Sequence, residues 1–363
     1  MTKFADITVV DAHQHLYSAR NIDALMLKGK EFGYSAVNVA SLSQLGPDYL
    51  AQNAIGLLWK LRYPDNGFFF GGLEYHWPGT DKRKIDAAAQ AKELIALGCD
   101  GIKMLEGKPT TRKDLGIALD SPMYDEFYAF LQDKRIPLLS HVADPDEFWD
   151  PARVPQWAVN RKWFFGDGTY VSQQQLFDET QRVLKKFPRL NVFLAHLYFR
   201  DASLPGAHRF MEEFPNACLD ICPGIQMYWN FAPQADGWRE FFVKYQDRLI
   251  YGTDLNDRRN DEKVSRMECV RRFLETDDRF DYRGSKDHHV RGIKLPAEAL
   301  EKIYHGNFER IGCAKPRPVK LAAAIEFCRR RIQRAGDIPD AAIRDKVLDE
   351  LNFVVEQMTS LKK

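Results

Sequence analysis

Eight short apolar runs, each followed by a segment with apolar residues at helical spacing, constrain this chain more than any other feature. The runs are 7–10, 36–40, 68–73, 101–105, 136–140, 191–195, 217–222 and 249–252. They are apolar on both faces, as strands of a parallel sheet buried between other layers are. The segments between them carry helix signals. Residues 84–97 set Ile85, Ala88, Leu94 and Ile95 on one stripe, and Gly98 follows as a stop. Ser121 and Pro122 supply an N-cap and first turn for a segment carrying Met123, Phe127, Phe130 and Leu131. Leu176, Val183, Leu184 and Phe187 continue the pattern until Pro188 stops it.

Eight strand–helix units predict a (β/α)8 barrel, the TIM barrel of the α/β class. A doubly wound open sheet is the competing reading, but it has fewer strands and a glycine-rich phosphate loop after the first. No G-x-G-x-x-G or G-x-x-x-x-G-K-[ST] follows any run. The barrel is expected over 5–312, within a domain of residues 1–316. Residues 317–363 hold two helical stretches, 320–335 and 340–361. They read as a C-terminal helical extension packed on the barrel or on a partner subunit in a homodimer. The segment 142–172 is long for a strand–helix loop and holds Phe148, Trp149, Trp157, Trp163, Phe164, Phe165 and Tyr170. It reads either as a lid or binding wall, or as a surface loop with its own apolar cluster.

Composition removes several classes of function. Lys plus Arg is 52 against 51 Asp plus Glu, so bulk charge does not favour nucleic acid. No stretch approaches the roughly 20 apolar residues of a membrane span. Asp6 and Asp11 interrupt the N-terminus where a secretory signal would be apolar. The six cysteines include no C-x-x-C pair, and Cys218 and Cys222 read as buried thiols. The expected setting is the reducing cytoplasm, and the expected partner a small-molecule substrate.

The chemistry-bearing residues fall at the ends of the runs. The first leads into Asp11-Ala12-His13-Gln14-His15. Residues i and i+2 of a strand share a face, so His13 and His15 project together as a metal-ligand pair. The fifth run ends at His141, the sixth at His196 and the eighth at Asp254. Four of the nine histidines thus stand at strand C-termini, where barrel active sites are built. A non-catalytic barrel with a structural metal would normally close its site with four ligands, often Cys, and no Cys is expected beside this histidine set.

This order of H-x-H, His, His and Asp resembles the amidohydrolase superfamily, and within it the amidohydrolase-related group of hydrolases and decarboxylases. The segment Lys302-Ile303-Tyr304-His305-Gly306-Asn307-Phe308-Glu309-Arg310 is similar to that group's closing helix. The resemblance implies that His13, His15, His141 and Asp254 hold a divalent metal, Zn or Mn, with one ion favoured over two. It implies that His196 is a second-metal ligand or a catalytic acid/base, with Asp254 accepting a proton from water. Some superfamily members carry a carboxylated lysine at the fourth strand. Lys103 is therefore read as a bridging ligand, as a contact to the substrate or to a ligating residue, or as a buried cation in a structural pair, for which Glu106 is a candidate partner. Two reactions follow as expectations: hydrolysis of an ester, lactone or amide, or non-oxidative decarboxylation or hydration of an aromatic or unsaturated acid. Trp77, Tyr198, Arg200 and Arg258 are candidate substrate contacts. Glu74, Tyr75, His76, Asp201, Asn256, Asp257 and Arg259 stand close by, and arginines would suit a carboxylate-bearing substrate. His208, His288 and His289 read as surface residues, and His305 as part of the closing helix.

Overall fold

The computed structural model describes residues 5–224, 227–258, 260–282 and 289–361; Arg259 and His288 lie outside them. All eight apolar runs form strands of one sheet. In chain order these are β1 (Val9–His15), β2 (Tyr34–Ala40), β3 (Gly67–Gly72), β4 (Gly101–Gly107), β5 (Leu138–Val142), β6 (Val192–Leu194), β7 (Ala217–Asp220), β8 (Leu249–Ile250) and β9 (Leu255–Asn256). Neighbours follow sequence order, every pairing is parallel, and β9 lies beside β1. Only residues 251–254 separate β8 from β9, and the Ala12 N–H donates to the Tyr251 carbonyl at 3.0 Å. The eighth run thus sits between β7 and β1, and the sheet closes as a TIM barrel.

The helices start and stop where the sequence signals stand. Helix Ala87–Leu97 is capped by the Asp86 carboxylate on Ala89 N, and Gly98 ends it at φ 115°. Ser121 caps the turn Pro122–Tyr124 that leads into helix Asp125–Lys134. Val10, Ala12, Phe68, Phe70, Leu139, Phe193 and Ile250 fill the barrel, together with Phe308 from helix Asn307–Ile311. The Phe308 ring lies 5.1 Å from Phe68 and 6.2 Å from Phe70. Asn307 donates to the Leu249 carbonyl at the start of β8, so this plug closes the N-terminal end. The strand C-termini are left to line a site.

Helices Leu321–Ala335 and Ala341–Ser360 pack on each other and on helix Gln52–Arg62 outside the barrel. Glu350 accepts from Ser18 Oγ at 2.6 Å and from Ala19 N at 2.9 Å. No helix among the described residues is long and apolar enough to cross a membrane. Segment 142–172 has its own cluster around Phe148, Ala158 and Phe165, as one of its two readings expected, and Phe148, Trp157, Arg161 and Trp163 also line a cavity at the barrel mouth.

Candidate metal centre and active site

β1 presents its histidines by breaking its own alternation. Val10 and Ala12 face the interior, which in a regular strand would turn His13 and His15 outward. The register of β1 on β2 slips between Asp11 and Gln14, an irregularity that re-aims side chains. Buried Asp11 holds it in place. Its carboxylate accepts from His13 N (3.1 Å), Gln14 Nε2 (2.6 Å) and Thr253 Oγ1 (2.5 Å), and burial pushes its pKa up to about 7.

His13 and His15 then meet groups from across the ring. His13 Nδ1 donates to Asp220 Oδ2 at 2.8 Å, and its Nε2 lies 3.9 Å from Asp254 Oδ1. His15 Nδ1 donates to the Ala40 carbonyl at 2.8 Å, and its Nε2 lies 3.2 Å from Asp254 Oδ1. Carbonyl and carboxylate oxygens only accept, so a neutral His15 cannot serve both partners. The contact with Asp254 needs a positive charge: a second proton on His15, or a metal ion. Ligands about 2.1 Å from a tetrahedral ion lie about 3.4 Å apart. That separation falls between the two observed distances. His13, His15 and Asp254 offer donor atoms all within 4.8 Å of one another. Two imidazoles and a carboxylate suit Zn2+ and leave a position open. The residues fit a divalent ion.

The remaining expected residues divide. Lys103 donates from Nζ to His13 Nε2 at 3.1 Å, and burial lowers its pKa to about 8. The anticipated pairing with Glu106 is not formed. Glu106 accepts instead from Tyr75 OH (2.8 Å) and Leu105 N (2.7 Å). His141 is not among the donors that lie within 4.8 Å of one another, though it lines the same cavity as Asp254. Its Nε2 is 3.3 Å from Asp144 Oδ1, and its ring lies 4.9 Å from that of His196, so the expected four-ligand set is not assembled. His196 opens a left-handed turn through Phe199, with φ between 49° and 56° at four non-glycine residues. Such residues cost about 1–2 kcal/mol each. Asp220 Oδ1, accepting from His196 N at 2.9 Å, and burial of Leu197 and Tyr198 hold the turn. His196 Nδ1 faces the Cys222 carbonyl at 3.2 Å, and Nε2 has no hydrogen bond to any described residue. Burial lowers the His196 pKa, so the ring is a neutral proton acceptor near pH 7. Burial also acts to raise Asp254, but the His15 contact and Arg266 hold its carboxyl well below the usual range. Arg266 donates to Asp254 Oδ2 at 3.1 Å. Such a carboxylate is a good ligand and a weak base.

The structure adds Asp220, which the sequence reading passed over, and Cys222, which it read only as a buried thiol. Asp220 ends β7 and receives both His13 and His196; His13 contributes to holding it at about 2 against the effect of burial. Cys222 Sγ lies 2.7 Å from Asp220 Oδ1 and 3.2 Å from His13 Nδ1 and His196 Nδ1. A cysteine therefore does sit beside the histidines, contrary to expectation, and His13, Asp220 and Cys222 form a second three-donor group. The signal was available in part: Asp220 is a polar residue inside the apolar run 217–222, and in the structure it is the last residue of β7.

A cavity of about 390 Å3 opens above the site, lined on the barrel side by Lys108, His141, Asp144, His196, Asp254 and Arg266. Phe148, Trp157, Arg161 and Trp163 of segment 142–172 form another wall. The four expected substrate contacts line none of it. Trp77 donates to Glu74 Oε2 at 2.6 Å, beneath Arg334 of the C-terminal helices. Tyr198 is turned into the core, with its OH on the Phe177 carbonyl. The Arg200 guanidinium lies 3.9 Å over Phe177, and that of Arg258 lies 3.8 Å over Tyr17. His208, His289 and His305 bond Tyr245, Asp281 and Glu309, away from the mouth.

Comparison with known proteins agrees with this architecture. An uncharacterised TIM-barrel protein from Bordetella bronchiseptica is 17% identical at a TM-score of 0.54, covering 88% of this chain and 99% of that one. A putative amidohydrolase from Staphylococcus aureus is 14% identical at 0.52, covering 84% and 99%. A 4-oxalomesaconate hydratase from Rhodopseudomonas palustris is 15% identical at 0.49, covering 84% and 95%. No curated protein sequence matches the chain. The sequence profile of the amidohydrolase family Amidohydro_2 matches residues 75–311, and the chain belongs to that family of enzymes.

Proposed function

We propose that this protein is a metal-dependent hydrolase of an ester, lactone or amide bond in a small carboxylate-bearing substrate. The carrying observation is the convergence of His13, His15 and Asp254 beneath a cavity whose wall includes His196 with Nε2 free of described partners. A single divalent ion, Zn2+ or Mn2+, would be held by His13, His15 and Asp254 and would supply Lewis acidity and a more acidic water, with a pKa of about 7. His196 Nε2 takes a proton from the attacking water and returns it to the leaving group. Asp254, kept ionised by Arg266, contributes ligand charge. Asp220 and the Ala40 carbonyl take the Nδ1 protons of His13 and His15, which leaves both Nε2 lone pairs facing the site; Lys103 Nζ, which now donates to that of His13, would have to withdraw for an ion to be ligated there.

The aromatic walls, Phe148, Trp157, Trp163 and Phe199, also favour a flat unsaturated acid. On such a substrate the same residues serve hydration, in which His196 passes to carbon the proton it takes from water, or decarboxylation, in which a proton taken up from solvent at His196 Nε2 goes to the carbon that loses CO2. The test is zinc-loaded protein against two panels. Aryl esters, lactones and amides bearing a carboxylate are followed by acid release, and aromatic or unsaturated acids by released CO2 or added water. Hydrolysis without CO2 supports the first reading. Turnover confined to the second panel replaces it with the second.

A further inference from the structure

The wall contributed by segment 142–172 carries a group that neither reading has used. The cavity lining holds three cationic side chains, Lys108, Arg161 and Arg266, against two carboxylates, Asp144 and Asp254. Both carboxylates are taken: Lys108 holds Asp144 at 2.9 Å, and Arg266 holds Asp254 at 3.1 Å. Arg161 is the surplus charge. It is exposed and forms no ion pair with any described residue.

Its guanidinium lies in a corner of two aromatic rings without being neutralised. Trp157 and Trp163 stand 6.0 Å apart at 85°, a corner of two perpendicular rings. The Arg161 guanidinium carbon lies 5.5 Å from the first ring centre and 5.4 Å from the second. Aromatic faces attract a cation while leaving its N–H donors free. The corner is itself fixed, since Trp157 packs on Phe148 with ring centres 5.6 Å apart and Trp163 lies 6.4 Å from the same ring. A charged fork flanked by aromatic rings at a cavity wall, with no ion pair to any described residue, is suited to pairing with a ligand carboxylate.

We propose that Arg161 is a second anion-binding point of the cavity and determines specificity. The substrate is then a flat dianion, an aromatic or unsaturated dicarboxylate, with one anionic end toward the metal centre and the other on Arg161. This rests on the mouth cavity being the substrate site. It does not depend on whether the bond broken is an ester or a carboxyl carbon bond.

Calorimetric titration of the full chain with isophthalate and with benzoate tests it, using wild type, Arg161→Gln and Arg161→Lys, each with and without zinc. Loss of one charge-assisted contact is worth about tenfold or more in affinity. The expected result is isophthalate weakened about tenfold or more in Arg161→Gln, benzoate changed less than twofold, and partial recovery in Arg161→Lys. Equal weakening of both ligands, or none, overturns the proposal, as does an isophthalate affinity in wild type no higher than that of benzoate. The arm without zinc separates the two claims. If zinc fails to bind, the metal reading falls, while a selective loss of isophthalate in Arg161→Gln still supports the anion point.

Discussion

Replacing Asp220 by Asn should switch the tautomer of His13 and weaken metal binding without removing a ligand. Asp220 Oδ2 receives the His13 Nδ1–H at 2.8 Å, while Oδ1 receives the backbone N–H groups of His196 (2.9 Å) and Cys222 (3.1 Å). An asparagine amide has one accepting oxygen. Keeping the two backbone bonds turns its NH2 toward His13 Nδ1. That nitrogen must then accept, and the proton moves to Nε2, the atom needed for the metal. The bond lost is charge-assisted, worth about 1.5–3 kcal/mol. At 1.4 kcal/mol per tenfold, this is roughly 10–100-fold in affinity. That range agrees with what second-shell partners of ligating histidines contribute, about 10–100-fold. Chelator competition for zinc measures the affinity, and 15N shifts of the metal-free protein report the tautomer. A dissociation constant within twofold of wild type, with Nδ1 still protonated, would refute the reasoning.

Other outcomes follow from the same geometry. His196→Asn should lower turnover by about 100-fold or more, the usual share of a general acid/base, with metal content by elemental analysis unchanged. The acid limb of kcat/KM should inflect below 6.5. Burial lowers the His196 pKa, so the neutral acceptor persists below the ordinary histidine value and is lost only as pH falls through the lowered one. An inflection above 6.5 contradicts this. Trp77→Ala should cost about 3 kcal/mol or more of stability in denaturant unfolding, as removal of a buried Trp does, and leave KM unchanged, because Trp77 lies under the C-terminal helices.

The barrel was legible because its signal is repeated: eight apolar runs, alternating with segments at helical spacing that carry start and stop signals such as Ser121, Gly98 and Pro188. The strand-end histidines were legible because a polar residue closing an apolar run is costly unless it is used. Asp220 obeys the same rule but was absorbed into a run that counted Cys218 and Cys222 as apolar. The substrate contacts were misread because closeness in sequence does not give direction. The left-handed turn at 196–199 carries Tyr198 into the core and Arg200 onto Phe177. Arg161 and Arg266 reach the cavity from an insertion and from a helix, and no local pattern marks either. The position of His13 depends on a β1 irregularity held by Asp11 and Thr253, contacts 242 residues apart that periodicity cannot report.

The central claim is that His13, His15 and Asp254 form a metal centre. Its most direct test is elemental analysis of ions per chain after zinc loading and desalting, for wild type and for His15→Ala. His15 is the apt position because its Nδ1 is committed to the Ala40 carbonyl and its Nε2 to Asp254. The account predicts one zinc per wild-type chain and a loss of an order of magnitude or more in the folded variant. Equal zinc in the two proteins, or none in either, would contradict it.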